Sequence, residues 1–191
     1  MEGFLHLSWG EVQLLCERLS KKIVEAGYRP DLIVAVSRGG FPVGRILCDL
    51  LGVEELASVQ VKYYRGPGET GKKPELLHPP NVKMEGRKVL VVDDVADTGH
   101  SLAFIRDLFS GKGEAGFRVA TLHYKPWSIF KPDFYVEEVR EWVVYPWEVR
   151  ETILKLVQRL RGEGKGEGEI ISILEGWGFE RGEVEEVVKG I

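Results

Sequence analysis

The chain has 191 residues, of which 43% are hydrophobic and 29% charged, and its formal net charge is −4. This composition is typical of a soluble globular protein. The sequence has no apolar run long enough for a membrane span, and its net negative charge does not favour nonspecific binding to nucleic acid. Residues 1–6 lack a basic region followed by an apolar stretch, so we expect a cytoplasmic protein without a secretory signal.

The amide and thiol content bears on the source environment and the redox state. Asn81 is the only asparagine, whereas Glu, Lys and Arg are abundant, as in proteins from thermophiles. Cys16 and Cys48 match no zinc-binding spacing and fall in helical patterns, so we expect buried reduced thiols. A disulfide between them stays open, because hyperthermophile cytosols tolerate such bonds.

The N-terminal part of the chain alternates helical and strand patterns. Ser8 and Glu11 form a capping-box pattern, and apolar residues at three- and four-residue spacing then predict a helix that ends near Gly27. The continuous apolar run Leu32–Val36 is typical of a strand buried on both faces. A second helix is expected over Pro42–Gly52.

The central part continues this alternation. Val59–Tyr64 is predicted to be a strand, and glycine and proline then punctuate residues 65–87, which we expect to form a long irregular loop. Lys88–Val92 is a second apolar run, followed by a helix with its apolar face in Leu102–Phe109 and by a strand at Phe117–Tyr124. The pattern predicts an α/β fold with a mainly parallel sheet flanked by helices.

The C-terminal part is predicted to be helical and divided by glycines. An amphipathic helix is expected over Val149–Leu160, then a flexible glycine-rich linker at residues 162–168 and a tail of two short helices at residues 169–191. Because such a tail is too small to fold alone, we expect it to pack on the rest of the protein. The main domain is accordingly expected to cover residues 1–161.

Two polar turns follow predicted parallel strands, and ligands bind to such sheets beyond the carboxyl ends of the strands. The turn after Lys88–Val92 comprises Asp93, Asp94, Asp97, Thr98, Gly99, His100 and Ser101. Free amides at a helix N-terminus bind phosphate, and adjacent carboxylates accept ribose hydroxyls or hold Mg²⁺ through water. The alternative, a capped helix with surface acids, is disfavoured because three acids would repel one another without a cation or ligand.

This stretch resembles the phosphoribosyl pyrophosphate (PRPP) signature of the type I phosphoribosyltransferases, a specific motif of about a dozen positions. The resemblance implies that Asp93 and Asp94 contact the ribose hydroxyls and the metal. It also implies that Asp97–Ser101 surround the 5′-phosphate, with His100 contributing only its backbone amide. In the 6-oxopurine members of the family, the acid at the place of Asp97 is also the proposed proton acceptor near N7 of the base.

The turn formed by Ser37, Arg38, Gly39 and Gly40 resembles the pyrophosphate loop of the same family. In that loop a cis peptide bond, here between Ser37 and Arg38, directs backbone amides toward the leaving group, and the arginine screens the pyrophosphate charge. The four-residue motif is weak by itself. Its place at the end of a predicted parallel strand supports the assignment.

Residues 125–148 resemble the base-binding segment of bacterial and archaeal xanthine-guanine and hypoxanthine-guanine phosphoribosyltransferases. The implied contacts are Lys125 with the purine 6-oxo group, Trp142 stacked on the ring, Val143 through its backbone, and Glu148 at the exocyclic 2-position or a second metal. Core packing is the alternative for Trp142, and Trp147 is expected to be structural. Because Glu148 replaces an aspartate of the best-known bacterial enzymes, the preference among guanine, xanthine and hypoxanthine stays open.

The resemblance implies a purine salvage enzyme that transfers the 5-phosphoribosyl group from PRPP to a 6-oxopurine, with Mg²⁺ held by Asp94 and Glu148. It implies a homodimer or homotetramer and a mobile hood at about residues 65–87, from which Arg65 meets the pyrophosphate. The alternatives are a noncatalytic PRPP-sensing regulator and a transferase for another nitrogenous acceptor. The sensor is disfavoured because it has no need of Lys125, Trp142 and Glu148 together, and because the sequence has no basic helix-turn-helix segment for nucleic acid.

Overall fold

A computed structural model describes residues 3–64, 73–111 and 113–190. The helices and strands in these ranges are β1 (Phe4–His6), α1 (Trp9–Glu25), β2 (Leu32–Val36), α2 (Gly40–Leu51), β3 (Leu56–Tyr64), β4 (Lys73–His78), β5 (Lys88–Ala96), α3 (His100–Phe109), β6 (Gly116–Tyr124), β7 (Phe134–Glu138), β8 (Trp142–Val144), α4 (Val149–Gly162), α5 (Glu167–Gly176) and α6 (Arg181–Lys189). They form two compact units, one of Val12–Val139 and the other of Met1–Glu11 with Arg140–Ile191.

The larger unit is built on a sheet with strand order β4-β3-β2-β5-β6-β7. All neighbouring strands are parallel except β3 and β4, which pair antiparallel. The predicted α/β fold with a mainly parallel sheet is therefore confirmed. Because β2, β5 and β6 are adjacent and parallel, their carboxyl ends lie side by side at one edge of the sheet.

The apolar runs lie at the centre of the sheet, where helices cover both of its faces. On one face, Gly44 of α2 packs closely on Ile33 and Ala35. On the other face, Val34 shares a buried cluster with Ile105 of α3. This two-sided burial explains why β2 has no alternation of apolar and polar residues.

Four of these strands, β1, β4, β7 and β8, are absent from the sequence prediction, and β4 lies in the predicted irregular loop. Lys73–His78 forms β4 against β3, so the expectation of irregular structure is wrong for this part of residues 65–87. The edge strand β7 was also not predicted, and only Val136 in it is buried. The three-residue strand β8 is paired with β1, which is equally short.

The smaller unit combines the β1–β8 pair with the three C-terminal helices. Its buried cluster joins residues of α4, α5 and α6, among them Ile153, Leu174 and Val187. His6 of β1 is hydrogen-bonded through Nε2 to the carbonyl of Trp177 (2.8 Å) and meets the Phe179 ring edge-on (4.6 Å). The two predicted tail helices are confirmed, and they pack within this unit as expected.

The predicted glycine-rich linker is largely absorbed into the flanking helices. Gly162 belongs to α4, and Glu167 and Gly168 belong to α5, which leaves residues 163–166 outside the helices. Backbone amides in this turn donate to the last carbonyls of α4, including Lys165 N to Leu160 O (3.0 Å). The connection is therefore a hydrogen-bonded helix terminus.

Both cysteines are buried free thiols, as expected. Burial raises the pKa of Cys16 to about 12 and also raises the pKa of Cys48. Of the helices in the described ranges, none is long and apolar enough to cross a membrane.

Candidate active site

The first part of the site lies at the carboxyl end of β5. This strand continues to Ala96, so Asp93 and Asp94 belong to the strand, whereas the apolar run Lys88–Val92 predicted that they follow it. Asp94 is buried, and its Oδ1 accepts a hydrogen bond from Val95 N (2.8 Å), while Asp93 Oδ1 accepts one from Asp94 N (3.0 Å). The backbone at the strand end thus orients both carboxylates.

The second part of the site is the turn from β5 into α3. Gly99 has a φ of +80°, which suits glycine, and α3 begins at His100. A cavity of about 90 Å³ lies over this turn. It is lined by Asp93, Val95, Ala96, Asp97, Thr98, Gly99, Ser101 and Leu102. Because the first amides of a helix lack intrahelical partners and the helix dipole is positive there, the cavity favours an anion.

The third part of the site is the turn Ser37–Gly40 at the end of β2. The Ser37–Arg38 peptide bond is cis, as predicted. Gly39 lies so close to β5 that a Cβ added to it would come within 2.6 Å of Asp94 Cγ. The structure therefore brings the two predicted turns into direct contact, because β2 and β5 are adjacent parallel strands.

The fourth part is the segment that follows β6. Lys125 is buried, and its backbone N donates to Ala96 O (3.0 Å). Four residues later, Ile129 N donates to Thr98 O (3.0 Å). Gly99 also leaves room for this segment, since an added Cβ would lie 2.6 Å from Phe130 N. Lys125 is thus held directly beside the turn that contains Asp97.

Trp127 extends this segment and was not singled out by the sequence analysis. Its side chain is 51% exposed, and its Nε1 donates a hydrogen bond to Asp97 Oδ1 (3.2 Å). Lys125 Nζ lies 5.5 Å from the centroid of the same ring. The signal available in the sequence was an aromatic residue two positions after Lys125, just past a predicted parallel strand.

One buried histidine lies on the strand that leads to Lys125. His123 is fully buried on β6, and its Nε2 is 3.9 Å from Glu137 Oε2 on β7. Burial lowers its pKa to about 4; Glu137 raises the value, whereas Lys125 and Arg18 lower it. The imidazole is therefore neutral near pH 7.

The remaining predicted site residues belong to the smaller unit. Trp142 is 45% exposed at the start of β8, whereas Val143 is buried and aligned with Leu5 of β1. Glu148 immediately precedes α4, and its Oε1 lies 3.5 Å from Tyr145 N. An exposed indole is suited to stacking on a planar ligand.

The sequence model of the phosphoribosyl transferase domain matches residues 7–153. The chain belongs to this phosphoribosyltransferase family. Xanthine-guanine phosphoribosyltransferase of Gluconobacter oxydans (strain 621H) is 34% identical over 133 residues, which are 69% of this chain and 76% of the relative.

Solved structures of phosphoribosyltransferases have the same fold. Purine phosphoribosyltransferase from Pyrococcus horikoshii Ot3 superposes with a TM-score of 0.68 at 33% identity, covering 75% of this chain and 93% of that protein. Xanthine-guanine-hypoxanthine phosphoribosyltransferase from Helicobacter pylori has a TM-score of 0.69 at 26% identity, covering 80% of this chain and 98% of that one. The protein is thus an enzyme of the phosphoribosyltransferase class.

In this phosphoribosyltransferase, the predicted PRPP-binding residues and Lys125 are brought together in the larger unit. Trp142, Val143 and Glu148 occur in the smaller unit. Tyr145 and Trp147 stack on each other at 4.8 Å with nearly parallel rings, which agrees with a structural role for Trp147. Arg65, which was predicted to meet the pyrophosphate, lies outside the described residues.

Proposed function

We propose that this phosphoribosyltransferase transfers the 5-phosphoribosyl group from PRPP to guanine, xanthine or hypoxanthine and releases pyrophosphate. The observation that carries the proposal is the contact between the two turns, which sets Gly39 against Asp94 beside the cavity at the N-terminus of α3. The base class is supported by the names of the relatives and by Lys125 at the same edge of the sheet.

PRPP has three parts, and each part has a matching group of residues. The 5′-phosphate accepts hydrogen bonds from the amides of residues 97–101 and from the hydroxyls of Thr98 and Ser101. The ribose hydroxyls donate to Asp93 and Asp94. The pyrophosphate lies against the amides of the Ser37–Gly40 turn, with the Arg38 guanidinium screening its charge.

The acidic residues suit Mg²⁺ when substrate is present. Among the residues the structure describes, no cluster of three or more His, Cys, Asp or Glu side chains is suited to hold a metal ion. Magnesium commonly takes one or two carboxylates, substrate phosphates and water, so Asp93 and Asp94 at a pyrophosphate site fit that set. Bound there, the ion neutralises charge on the leaving pyrophosphate. Glu148 is a proposed ligand for a second ion.

The base is recognised through its oxo group and its ring. The Lys125 ammonium donates to the 6-oxo group, while Trp142 stacks on the ring and Val143 contributes backbone groups. An ammonium offers only donors, so the 6-amino group of adenine finds no acceptor there. Adenine is therefore a poor substrate.

Transfer is mainly a matter of positioning and charge stabilisation. A purine ring nitrogen bonds to C1′ while the bond from C1′ to pyrophosphate breaks, and the electron pair leaves with the pyrophosphate oxygen. Asp97 accepts the proton that the base loses near N7. The reaction passes through an oxocarbenium-like state and inverts the configuration at C1′.

The test is to incubate the pure protein with PRPP, Mg²⁺ and each of guanine, xanthine, hypoxanthine and adenine, and to measure the nucleotide formed. Turnover of 6-oxopurines but not adenine supports the proposal. Failure with all four bases despite PRPP binding points to another nitrogenous acceptor and overturns it.

Two variants separate binding from chemistry. Asp97→Asn is expected to lower kcat by about 100-fold or more with nearly unchanged PRPP affinity, since general base catalysis contributes roughly 10² to 10⁴. Asp93→Ala combined with Asp94→Ala is expected to abolish PRPP binding. Equal loss of turnover and PRPP affinity in Asp97→Asn contradicts its role as a base.

We also infer that the protein forms a homodimer or homotetramer, which analytical ultracentrifugation tests.

A further inference from the structure

Trp127 contacts two groups that the proposed function assigns to the purine base. Its Nε1 donates to Asp97 Oδ1 (3.2 Å), and Lys125 Nζ lies 5.5 Å from its ring centroid. Single exposed apolar residues are common on protein surfaces and need no explanation. A half-exposed indole that contacts both an acid and an ammonium at the active edge of the sheet is a more specific arrangement.

The segment that carries Trp127 is held in place by its backbone. Lys125 N donates to Ala96 O and Ile129 N donates to Thr98 O, both at 3.0 Å, while Ser128 N donates to Lys125 O (2.9 Å). Phe130, at the end of the segment, is buried. The indole therefore projects from a segment that is hydrogen-bonded on both sides of the residue to the turn containing Asp97.

The hydrogen bond restricts the orientation of the Asp97 carboxylate. Rotation about the terminal torsion of an aspartate is only weakly hindered, so an exposed carboxylate samples many orientations. A proton acceptor must lie within about 2.6–3.2 Å of the group that loses the proton. By donating to Oδ1, Trp127 restricts rotation of the carboxylate, and Oδ2 is not used by this hydrogen bond.

The two contacts involve the side chains that the proposed function assigns to one edge of the purine. O6 and N7 of guanine lie next to each other on one edge of the base. Lys125 is assigned to the oxo group and Asp97 to the proton near N7, so the two side chains must be held at a matching separation. Trp127 contacts both side chains, because its Nε1 donates to Asp97 Oδ1 and its ring centroid lies 5.5 Å from Lys125 Nζ.

We propose that Trp127 is a positioning residue that orients Asp97 through its indole N–H and aligns it with Lys125 for the O6/N7 edge of a 6-oxopurine. This inference rests on the proposed function. The indole acts through the acid, so its loss affects the chemical step more than the binding of PRPP. Its ring affects the position of Lys125 and hence binding of the base.

The test uses Trp127→Phe, which removes the N–H donor and keeps an aromatic ring beside Lys125. For this variant, kcat with guanine is expected to fall roughly tenfold, the effect of losing one hydrogen bond to a charged group, while both KM values change less than about twofold. Trp127→Leu, which removes the ring as well, is expected to raise the KM of the base in addition. Ile129→Val, at a 66% exposed side chain in the same segment, is the matched control with unchanged kinetics.

A double-mutant cycle with Asp97→Asn tests whether Trp127 acts through the acid. If it does, Trp127→Phe has little further effect in the Asp97→Asn background, because no proton acceptor remains to be oriented. The inference is overturned if Trp127→Phe has the wild-type kcat, if the two substitutions have fully additive effects on kcat, or if only PRPP binding changes. If wild-type protein turns over no 6-oxopurine, the proposed function fails first; an active wild type with an unaffected Trp127→Phe variant refutes only the role of Trp127.

Discussion

Replacing Gly39 by alanine tests the contact between the two turns of the active site. Gly39 has φ −64° and ψ −33°, a backbone conformation that alanine adopts without strain. The substitution therefore adds one methyl group and leaves the backbone preference satisfied. That methyl group would overlap Asp94 Oδ2, its nearest neighbour, and would lie 2.6 Å from Asp94 Cγ and 2.9 Å from Asp94 Oδ1.

The size of the effect follows from this overlap. The distance to Asp94 Cγ is about 1 Å shorter than the roughly 3.5–4.0 Å optimum for carbon contacts, so either the carboxylate or the turn must move. Movement of the carboxylate disturbs its bond from Val95 N. Overpacking of this kind costs about 1–3 kcal/mol, and a loss of that size in PRPP binding weakens affinity roughly 5- to 150-fold.

The assay is calorimetric titration of Gly39→Ala with PRPP and Mg²⁺, together with the KM for PRPP and circular dichroism of the folded state. Gly168→Ala is the matched control, because an added Cβ in this helical position has no neighbour within 4 Å. The control is expected to bind PRPP normally. Wild-type PRPP affinity in Gly39→Ala would refute the contact between the two turns as the basis of binding.

Three further predictions concern stability and reactivity. Burial lowers the pKa of His123 from 6.5 to about 4, so between these pH values the unfolded chain binds a proton that the folded protein does not. The free energy of unfolding should therefore be unaffected by this group above pH 6.5 and should fall by about 3 kcal/mol as the pH drops toward 4. Denaturant unfolding across this range should show a smaller fall in His123→Gln. Because burial raises the pKa of Cys16 to about 12, its thiol should not react with a disulfide reagent at pH 8 until guanidinium unfolds the protein. The absorbance of the chromophore released by the reagent measures the number of thiols that have reacted. Phe179→Ala should destabilise the smaller unit by about 3–5 kcal/mol in chemical unfolding, whereas Gly182→Ala, whose Cβ would meet nothing within 4 Å, should not lower stability.

The core elements of the larger unit were predictable because their sequences have strong local patterns. Leu32–Val36 is a strand with the predicted limits, and the helix after it was placed within two residues at its N-terminus. The capping box was also confirmed, since Ser8 N donates to Glu11 Oε2 (2.7 Å) and Glu11 N donates to Ser8 Oγ (3.2 Å). These patterns depend on short-range geometry, which the sequence alone encodes.

The missed strands lack such patterns. β4 contains Pro74, which favours a loop in a prediction from sequence, and it forms because it pairs with the edge of the sheet at β3. β7 ends in two acids and buries only Val136. β1 and β8 have three residues each, and their pairing joins segments that are far apart in the sequence. Tertiary pairing decides elements of this kind.

By itself, the sequence determined the alternation of strands and helices, the two polar turns and the family resemblance, because each is encoded within a short stretch. The resemblance in turn implied the cis peptide bond. Only the tertiary structure decided that Gly39 packs against Asp94 and that Trp127 donates to Asp97. Both contacts join residues far apart in the chain, and they arise because the parallel strands β2, β5 and β6 end side by side.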